Sequence, residues 1–113
     1  MSVSENFNLI VTILTIEKTD QVFKAIEKEG ITKSTIIPGR GKSDKNPKLF
    51  FGLTLEPQRD CILTLVPKEQ SDKIFNIIME EGELTKPLHG IVFVIDVEKV
   101  GGLDLDFFDN SSK

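Results

Sequence analysis

Apolar residues in this chain fall into short continuous runs that alternate with segments of helical spacing. Residues 9–15 and 61–66 are apolar and rich in β-branched side chains, which is typical of buried strands. Residues 20–30 and 72–82 place apolar side chains three and four positions apart among charged ones. This spacing predicts an amphipathic helix after each strand.

End signals for the first helix are present on both sides. Thr19 or Asp20 can cap its start through a side-chain oxygen. Gly30 can adopt the left-handed conformation that commonly follows the last turn. The predicted first helix therefore spans residues 20–30.

The two strand–helix units form an internal repeat with a shift of 52 positions. Ile62 falls on Ile10 and Thr64 on Thr12, and residues 72–82 match residues 20–30 without a gap. The alternative is that any two strand–helix units look alike, and one sequence leaves this open.

A return strand is expected after each helix, at residues 31–37 and 91–97. The resulting order, βαββαβ, is the split βαβ or ferredoxin-like plan. The predicted class is therefore α+β, with an antiparallel sheet and two helices on one face. Residues 49–55 are expected to extend the second strand and to pair with residues 61–66 across a turn at 57–60.

The strands are apolar on both faces, although two helices can cover only one. A half-solvated strand should alternate apolar with polar residues, and these strands do not. An open face of this kind exceeds what monomers usually expose. The pattern predicts that sister subunits bury it, in an oligomer of closed cyclic symmetry.

Composition narrows the class of protein further. A chain of 113 residues is expected to form a single domain, here residues 1–113. The net charge of -4 argues against general nucleic-acid binding, and no apolar run is long enough to insert into a membrane. Cys61 is the only cysteine, and no signal peptide is recognisable, so a cytoplasmic location is predicted.

The first candidate site lies where the second strand ends, in a predicted flexible basic loop at residues 38–48. Gly39 and Gly41 allow backbone N–H groups to converge on an anion, and Arg40 and Lys42 add positive charge. The alternative is a solvated loop with ordinary turn glycines.

The second candidate is the loop before the last strand, with Lys86, His89 and Gly90. The alternative here is an ordinary helix-to-strand connection. Catalysis has little support, because His89 is the only histidine and Cys61 lies inside a predicted strand. We therefore predict that the chain is not an enzyme; an enzyme that uses His89 with Lys42 or Lys86 is the weakest hypothesis.

Taken together, these features resemble the PII nitrogen-regulatory signalling superfamily. The resemblance rests on the glycine break at residues 38–42, the long excursion after it, and the stretch 89–100, and it covers residues 9–103. The resemblance is strongest to divergent PII-like proteins that carry a Gly-Arg-Gly loop. The resemblance implies a ferredoxin-like homotrimer that binds adenine nucleotides (ATP, ADP or AMP) between subunits. It also implies a loop that docks on a membrane transporter, a metabolic enzyme or a regulator.

The family pattern matches at some site positions. Gly39 and Gly41 match the glycines at the loop base, Lys42 falls where a basic residue contacts phosphate, and Gly90 matches the second glycine of a Gly-Asp-Gly-Lys loop.

At other positions the chain departs from the family pattern. Leu88, His89 and Ile91 replace the first glycine, the aspartate and the lysine of that loop. Two arginines usual after the last strand are missing, and the tail at residues 104–113 is acidic instead. The ligand is therefore an adenine nucleotide or another small anion, or there is none. In the last case the chain would be a ligand-free protein-interaction module on the same trimeric scaffold.

Overall fold

The computed structural model describes residues 2–39, 49–50, 53–54, 59–86 and 89–103. The predicted flexible loop, apart from its first two residues, and the acidic tail lie outside these ranges. The elements follow in this order: β1 (Ser2–Ser4), β2 (Phe7–Thr15), α1 (Ile16–Glu27), β3 (Ser34–Gly39), β4 (Leu49–Phe50), β5 (Leu53–Thr54), β6 (Arg59–Pro67), a 3₁₀ turn (Lys68–Gln70), α2 (Ser71–Glu81), β7 (Gly90–Val97) and β8 (Val100–Leu103).

Four strands form the main sheet, in the spatial order β3-β6-β2-β7. All of its pairings are antiparallel. This order, with one helix after β2 and one after β6, is the ferredoxin-like plan, so the predicted α+β class is confirmed. The strands β1 and β8 form a separate two-stranded ribbon.

The core lies between one face of the sheet and the two helices. Each helix presents an i, i+3, i+4, i+7 stripe, and in each the central aliphatic residues are fully buried: Val22 and Ile26 in α1, Ile74 and Ile78 in α2. They pack on Ile10 and Ile62 of the sheet. Burial of each such side chain stabilises the fold by roughly 1.5–3 kcal/mol.

The predicted repeat is confirmed by burial, because residues 52 positions apart occupy equivalent sites. Ile10 and Ile62, and likewise Thr12 and Thr64, are at most 1% exposed on the helix side of the sheet. The two helices pack antiparallel: Lys73 Nζ at the start of α2 lies 2.7 Å from Glu29 Oε1, just past the end of α1.

The opposite face of the sheet is apolar, as predicted. We call it the open face; the register places the following side chains on it: Leu9, Val11 and Ile13 of β2, Cys61, Leu63 and Leu65 of β6, and Ile91, Phe93 and Ile95 of β7. Its centre is buried within the chain, with Ile13 only 1% exposed. At its borders Ile37 and Ile95 are 46% and 45% exposed.

The predicted start of the first helix is wrong. α1 begins at Ile16, directly after β2, and its N-cap position is Thr15, whose side chain makes no capping bond. Thr19 does not cap the helix; its hydroxyl lies inside the first turns and donates to the Thr15 carbonyl oxygen at 3.4 Å. Thr19 is buried on the inner face of α1. This burial favours a position inside the helix over a capping position at its start.

The predicted helix ends are only partly repeated. Gly30 has a φ of +84°, which confirms the expected left-handed residue. Its repeat partner Gly82 has a φ of -83° instead. The left-handed position after α2 falls on Glu83, with a φ of +53°.

The predicted pairing of residues 49–55 with residues 61–66 is also wrong. In the described part of this segment, β4 pairs with β5 in a short hairpin. The strand β6 already forms hydrogen bonds with β3 on one side and β2 on the other. Because both of its edges are occupied, no further strand can join it.

Candidate functional site

The two candidate loops leave the sheet at the same end, from its two outer strands β3 and β7. β3 ends there at Gly39, which lies opposite Arg59 at the start of β6. On the other side Arg59 lies opposite Thr15, and Leu14 lies opposite Gly90 at the start of β7. Strand register therefore places both loops at one end of the sheet, with β6 and β2 between them.

Arg59 joins these two loops through its side chain. Its Nη1 donates a hydrogen bond of 3.0 Å to the carbonyl oxygen of His89. Arg59 is only 7% exposed, which is unusual for arginine. A buried guanidinium has five N–H donors that need acceptors, and the His89 carbonyl oxygen is one of them. This bond links the position of that carbonyl to the start of β6.

Sequence reasoning missed Arg59, because the predicted turn at residues 57–60 included it. The structure starts β6 at Arg59. One signal was available: Arg59 is the last basic residue before an apolar strand, on the strand side of the long excursion.

Gly90 is required by the backbone. Its φ is +154°, and a Cβ atom at this position would collide with the carbonyl oxygen of Ile13 and lie 3.0 Å from the Cα of Leu14. Only glycine fits such a close approach of β7 to β2. The Gly90 match to the family pattern therefore has a structural reason of its own.

A cluster of charged side chains surrounds Glu83, just past the end of α2. Glu83 Oε2 lies 3.3 Å from Lys18 Nζ of α1, and Glu83 Oε1 lies 3.0 Å from Lys86 Nζ. His89 Nδ1 lies 4.0 Å from the same Oε1. Hydrogen bonds and charge from Lys86 and then Lys18 hold the pKa of Glu83 below its usual value. We call these four residues the Glu83 cluster.

Only some of the hydrogen-bonding groups of His89 have partners among the described residues. Its backbone N–H donates to the Lys86 carbonyl oxygen at 3.4 Å. Its Nδ1 is buried and has no hydrogen-bond partner among the residues that the structure describes. The cluster also includes Lys18 and Glu83, which sequence reasoning did not propose.

The predicted site residues therefore have different outcomes. Lys86, His89 and Gly90 lie close together, and Gly39 lies at the same end of the sheet but on the opposite outer strand. Arg40, Gly41 and Lys42 lie outside the described residues, so their part in a site stays a prediction. Within the described ranges, no group of histidine, cysteine or carboxylate side chains could hold a metal ion.

The arrangement defines a class of protein: a ferredoxin-like domain with an apolar open face and a cluster of charged side chains at one end of its sheet. The family model of the nitrogen regulatory protein P-II matches residues 7–104. The chain belongs to this family of regulatory signalling proteins, which confirms the resemblance seen in the sequence.

Solved structures support the same fold. The crystal structure of Arabidopsis thaliana PII bound to citrate matches with a TM-score of 0.64 and 20% sequence identity. The match covers 84% of this chain and 80% of the Arabidopsis chain. No curated protein sequence matches the chain closely enough to count as a relative. In the described part of the chain, no helix is long and apolar enough to cross a membrane.

Proposed function

We propose that this protein is a cytoplasmic, trimeric PII-type regulator that binds a small anionic ligand at clefts between its subunits. The ligand class that we favour is an adenine nucleotide (ATP, ADP or AMP). Its binding would change the conformation of the loop at residues 38–48, and this loop would engage a membrane transporter or a metabolic enzyme. The protein would be a regulator and not an enzyme.

The observation that carries this proposal is the hydrogen bond from Arg59 to the His89 carbonyl oxygen. Arg59 follows the long excursion, and His89 belongs to the loop that the resemblance aligns with the Gly-Asp-Gly-Lys loop of the family. A ligand that moves residues 86–90 would act on Arg59, and through it on the end of the excursion. Such coupling requires that the ligand bind the two loop conformations with different affinity.

The proposed site residues are Gly39, Arg40, Gly41, Lys42, Lys86, His89 and Gly90. Lys86, a cation at the same end of the sheet as Gly39, supports an anion site there; its ion pair with Glu83 would have to open for the ligand to bind. The Arabidopsis relative is bound to citrate, which is also a small anion. Isothermal titration with ATP, ADP, AMP and citrate tests the ligand. Absence of heat with all four would defeat the ligand half of the proposal.

The open face supports the proposed trimer. Apolar side chains of three strands are half-buried or exposed on this face: Leu9 of β2, Cys61, Leu63 and Leu65 of β6, and Ile91, Phe93 and Ile95 of β7. Contact with two sister copies would remove that surface from water, at roughly 25 cal/mol for each Å² buried. Ile37 and Ile95, the most exposed side chains on this face, are the expected contacts.

A matched pair of variants tests the trimer. Ile95→Asp places a charge on the open face, and Val94→Asp places the same charge on the other face of the same strand. The two side chains are similarly exposed, at 45% and 40%. We expect native mass spectrometry to show trimers for wild type and Val94→Asp, and smaller species for Ile95→Asp. Folded monomers of wild-type protein at micromolar concentration would defeat the trimer.

A ligand-free protein-interaction module is the second candidate. The observation that favours it is the ion pair between Lys86 and Glu83, which leaves Lys86 with a neutralising partner inside the chain. In this case the trimer would form, a partner would bind the loop or the acidic tail, and no small anion would change that binding.

A further inference from the structure

The Glu83 carboxylate has the surroundings of a bound anion. Two ammonium groups from separate parts of the fold converge on it: Lys18 from the first turn of α1 and Lys86 from the segment after α2. Each of its oxygens has its own lysine. Converging cations from different elements are the usual way in which a protein holds a carboxylate or a phosphate.

The backbone at Glu83 is held in a conformation that its residue type disfavours. Its φ of +53° is the only positive φ at a non-glycine residue in the described ranges. Glycine is the usual residue for this position after a helix, and Gly82 stands directly before it without using that conformation. The tight turn directs the Glu83 side chain to Lys18 and Lys86.

His89 adds an unused polar atom beside the same carboxylate. The buried Nδ1 of His89, 4.0 Å from Glu83 Oε1, is beyond hydrogen-bond distance and has no partner in the described part of the chain. Next to the cluster, Glu83 and Lys86 also line a surface hollow of about 550 Å³, together with Asn76, Met79, Glu80 and Thr85.

We infer that Glu83 is an internal anion that occupies the cation site of the proposed ligand, so that a phosphate- or carboxylate-bearing ligand must displace its carboxylate from Lys18 and Lys86. This inference rests on the proposed function, and it describes how that site is regulated. With Glu83 in place, its carboxylate occupies both ammonium groups and offsets one of their two positive charges, so the site is closed. When a ligand replaces it, Lys86 is pulled from Glu83, and the neighbouring His89 and Gly90 can shift.

Glu83→Gln tests this inference, because it keeps the size of the side chain and removes the competing charge. The matched control is Glu80→Gln, which removes a charge from the same hollow but has no ion pair to Lys18 or Lys86. The probes are pyrophosphate, ATP and adenosine, measured by isothermal titration on the assembled protein. Pyrophosphate carries the anion alone, and adenosine carries the base and ribose without phosphate.

We expect Glu83→Gln to bind pyrophosphate and ATP about five- to tenfold more tightly than wild type, because one repelling charge is lost and two cations are freed. Glu80→Gln should bind them as wild type does. Adenosine should bind all three proteins equally. Adding Lys18→Met to Glu83→Gln should abolish the gain, and circular dichroism should show each variant folded.

Each other result has a definite meaning. If wild type binds ATP and Glu83→Gln binds it no more tightly, the inference is wrong and the proposed function stands. If only Glu83→Gln binds, the inference is supported, and the wild-type protein is not an open ligand sensor. If none of the folded proteins binds an anion, both the inference and the ligand half of the proposed function are wrong.

Discussion

Arg59 and His89 are 30 positions apart in sequence, yet the Arg59 guanidinium donates a hydrogen bond of 3.0 Å to the His89 carbonyl oxygen. This bond fixes the loop before β7 to the first residue of β6. Since Arg59 is buried, the bond is shielded from competing water. The bond therefore links β6 to the residue before β7, although β2 lies between these two strands.

Arg59→Met should lower the free energy of unfolding by about 2 kcal/mol, because a buried charge-assisted hydrogen bond is lost while the aliphatic stem is kept. Urea unfolding measures this change. Hydrogen exchange should also become faster at the amides of residues 86–90. Lys28→Met is the control: Lys28 lies on the exposed surface just past α1, so its loss should change stability by less than about 0.5 kcal/mol. Equal effects of the two variants would contradict the role of Arg59.

Thr12 and Thr64 occupy repeat-related positions with different hydrogen bonding. Both are fully buried. The Thr64 hydroxyl accepts a hydrogen bond of 3.1 Å from Ser34 Oγ, whereas Thr12 Oγ1 has no partner among the described residues. Thr64→Val should lower the free energy of unfolding by about 1 kcal/mol. Thr12→Val should leave it unchanged or raise it by up to about 1 kcal/mol. Thermal unfolding of the two variants provides the comparison, and a loss of stability in Thr12→Val equal to that in Thr64→Val would show that the Thr12 hydroxyl is satisfied.

The plan of the fold could be predicted from the sequence, because it follows from local patterns. The 52-residue repeat, the apolar runs and the helical stripes each record which residues face the core. The start of α1 could not be predicted in this way. The capping signal at Thr19 and Asp20 is local, whereas the burial of Thr19 in the folded chain decides where the helix begins. Propensity at a helix end is worth about 1 kcal/mol, and tertiary packing can exceed it.

The candidate site was less predictable than the fold. Lys86, His89 and Gly90 were proposed from their place in the loop before the last strand, and of these only Gly90 matches the family pattern. Arg59 and the Lys18 contact with Glu83 depend on side chains that meet only after the sheet and helices are assembled. No spacing in the sequence records such contacts, since Lys18 and Glu83 belong to different halves of the repeat.

Gly90→Ala should be strongly destabilising, by about 3 kcal/mol or more, because the new Cβ atom would collide with the Ile13 backbone and β7 would have to move. Gly30→Ala is the matched control. Gly30 also has a positive φ, +84°, but a Cβ atom there would meet nothing within 4 Å. Gly30→Ala should lower the free energy of unfolding only by the conformational strain of a side chain at positive φ, about 1 kcal/mol. Denaturant unfolding distinguishes the two, and similar losses would show that β7 adjusts to a side chain at position 90.

Cys61 lies on the open face, opposite Ile13 and Ile37, so the reactivity of its thiol measures whether this face is covered. Burial raises the pKa of the Cys61 thiol, so its reactive thiolate is scarcer than that of a free cysteine at the same pH. If sister subunits cover this face, labelling of Cys61 by a maleimide should be slow in concentrated protein and faster after dilution below the dissociation concentration. Ile95→Asp should label quickly at every concentration. A wild-type rate that does not change on dilution to the monomer would show that the single chain alone protects the thiol.

The same pKa shift gives a pH dependence of stability. Because the folded pKa of Cys61 is raised, the neutral thiol is favoured in the folded state, and its contribution to stability is complete below the unfolded value of about 8.5. This contribution is lost as the pH rises from that value through the folded pKa. We expect the free energy of unfolding of wild type to fall more steeply above about pH 8.5 than that of Cys61→Ala, measured by urea unfolding from pH 7 to 10. Parallel curves for the two proteins would show that Cys61 is not shielded from water in the folded state.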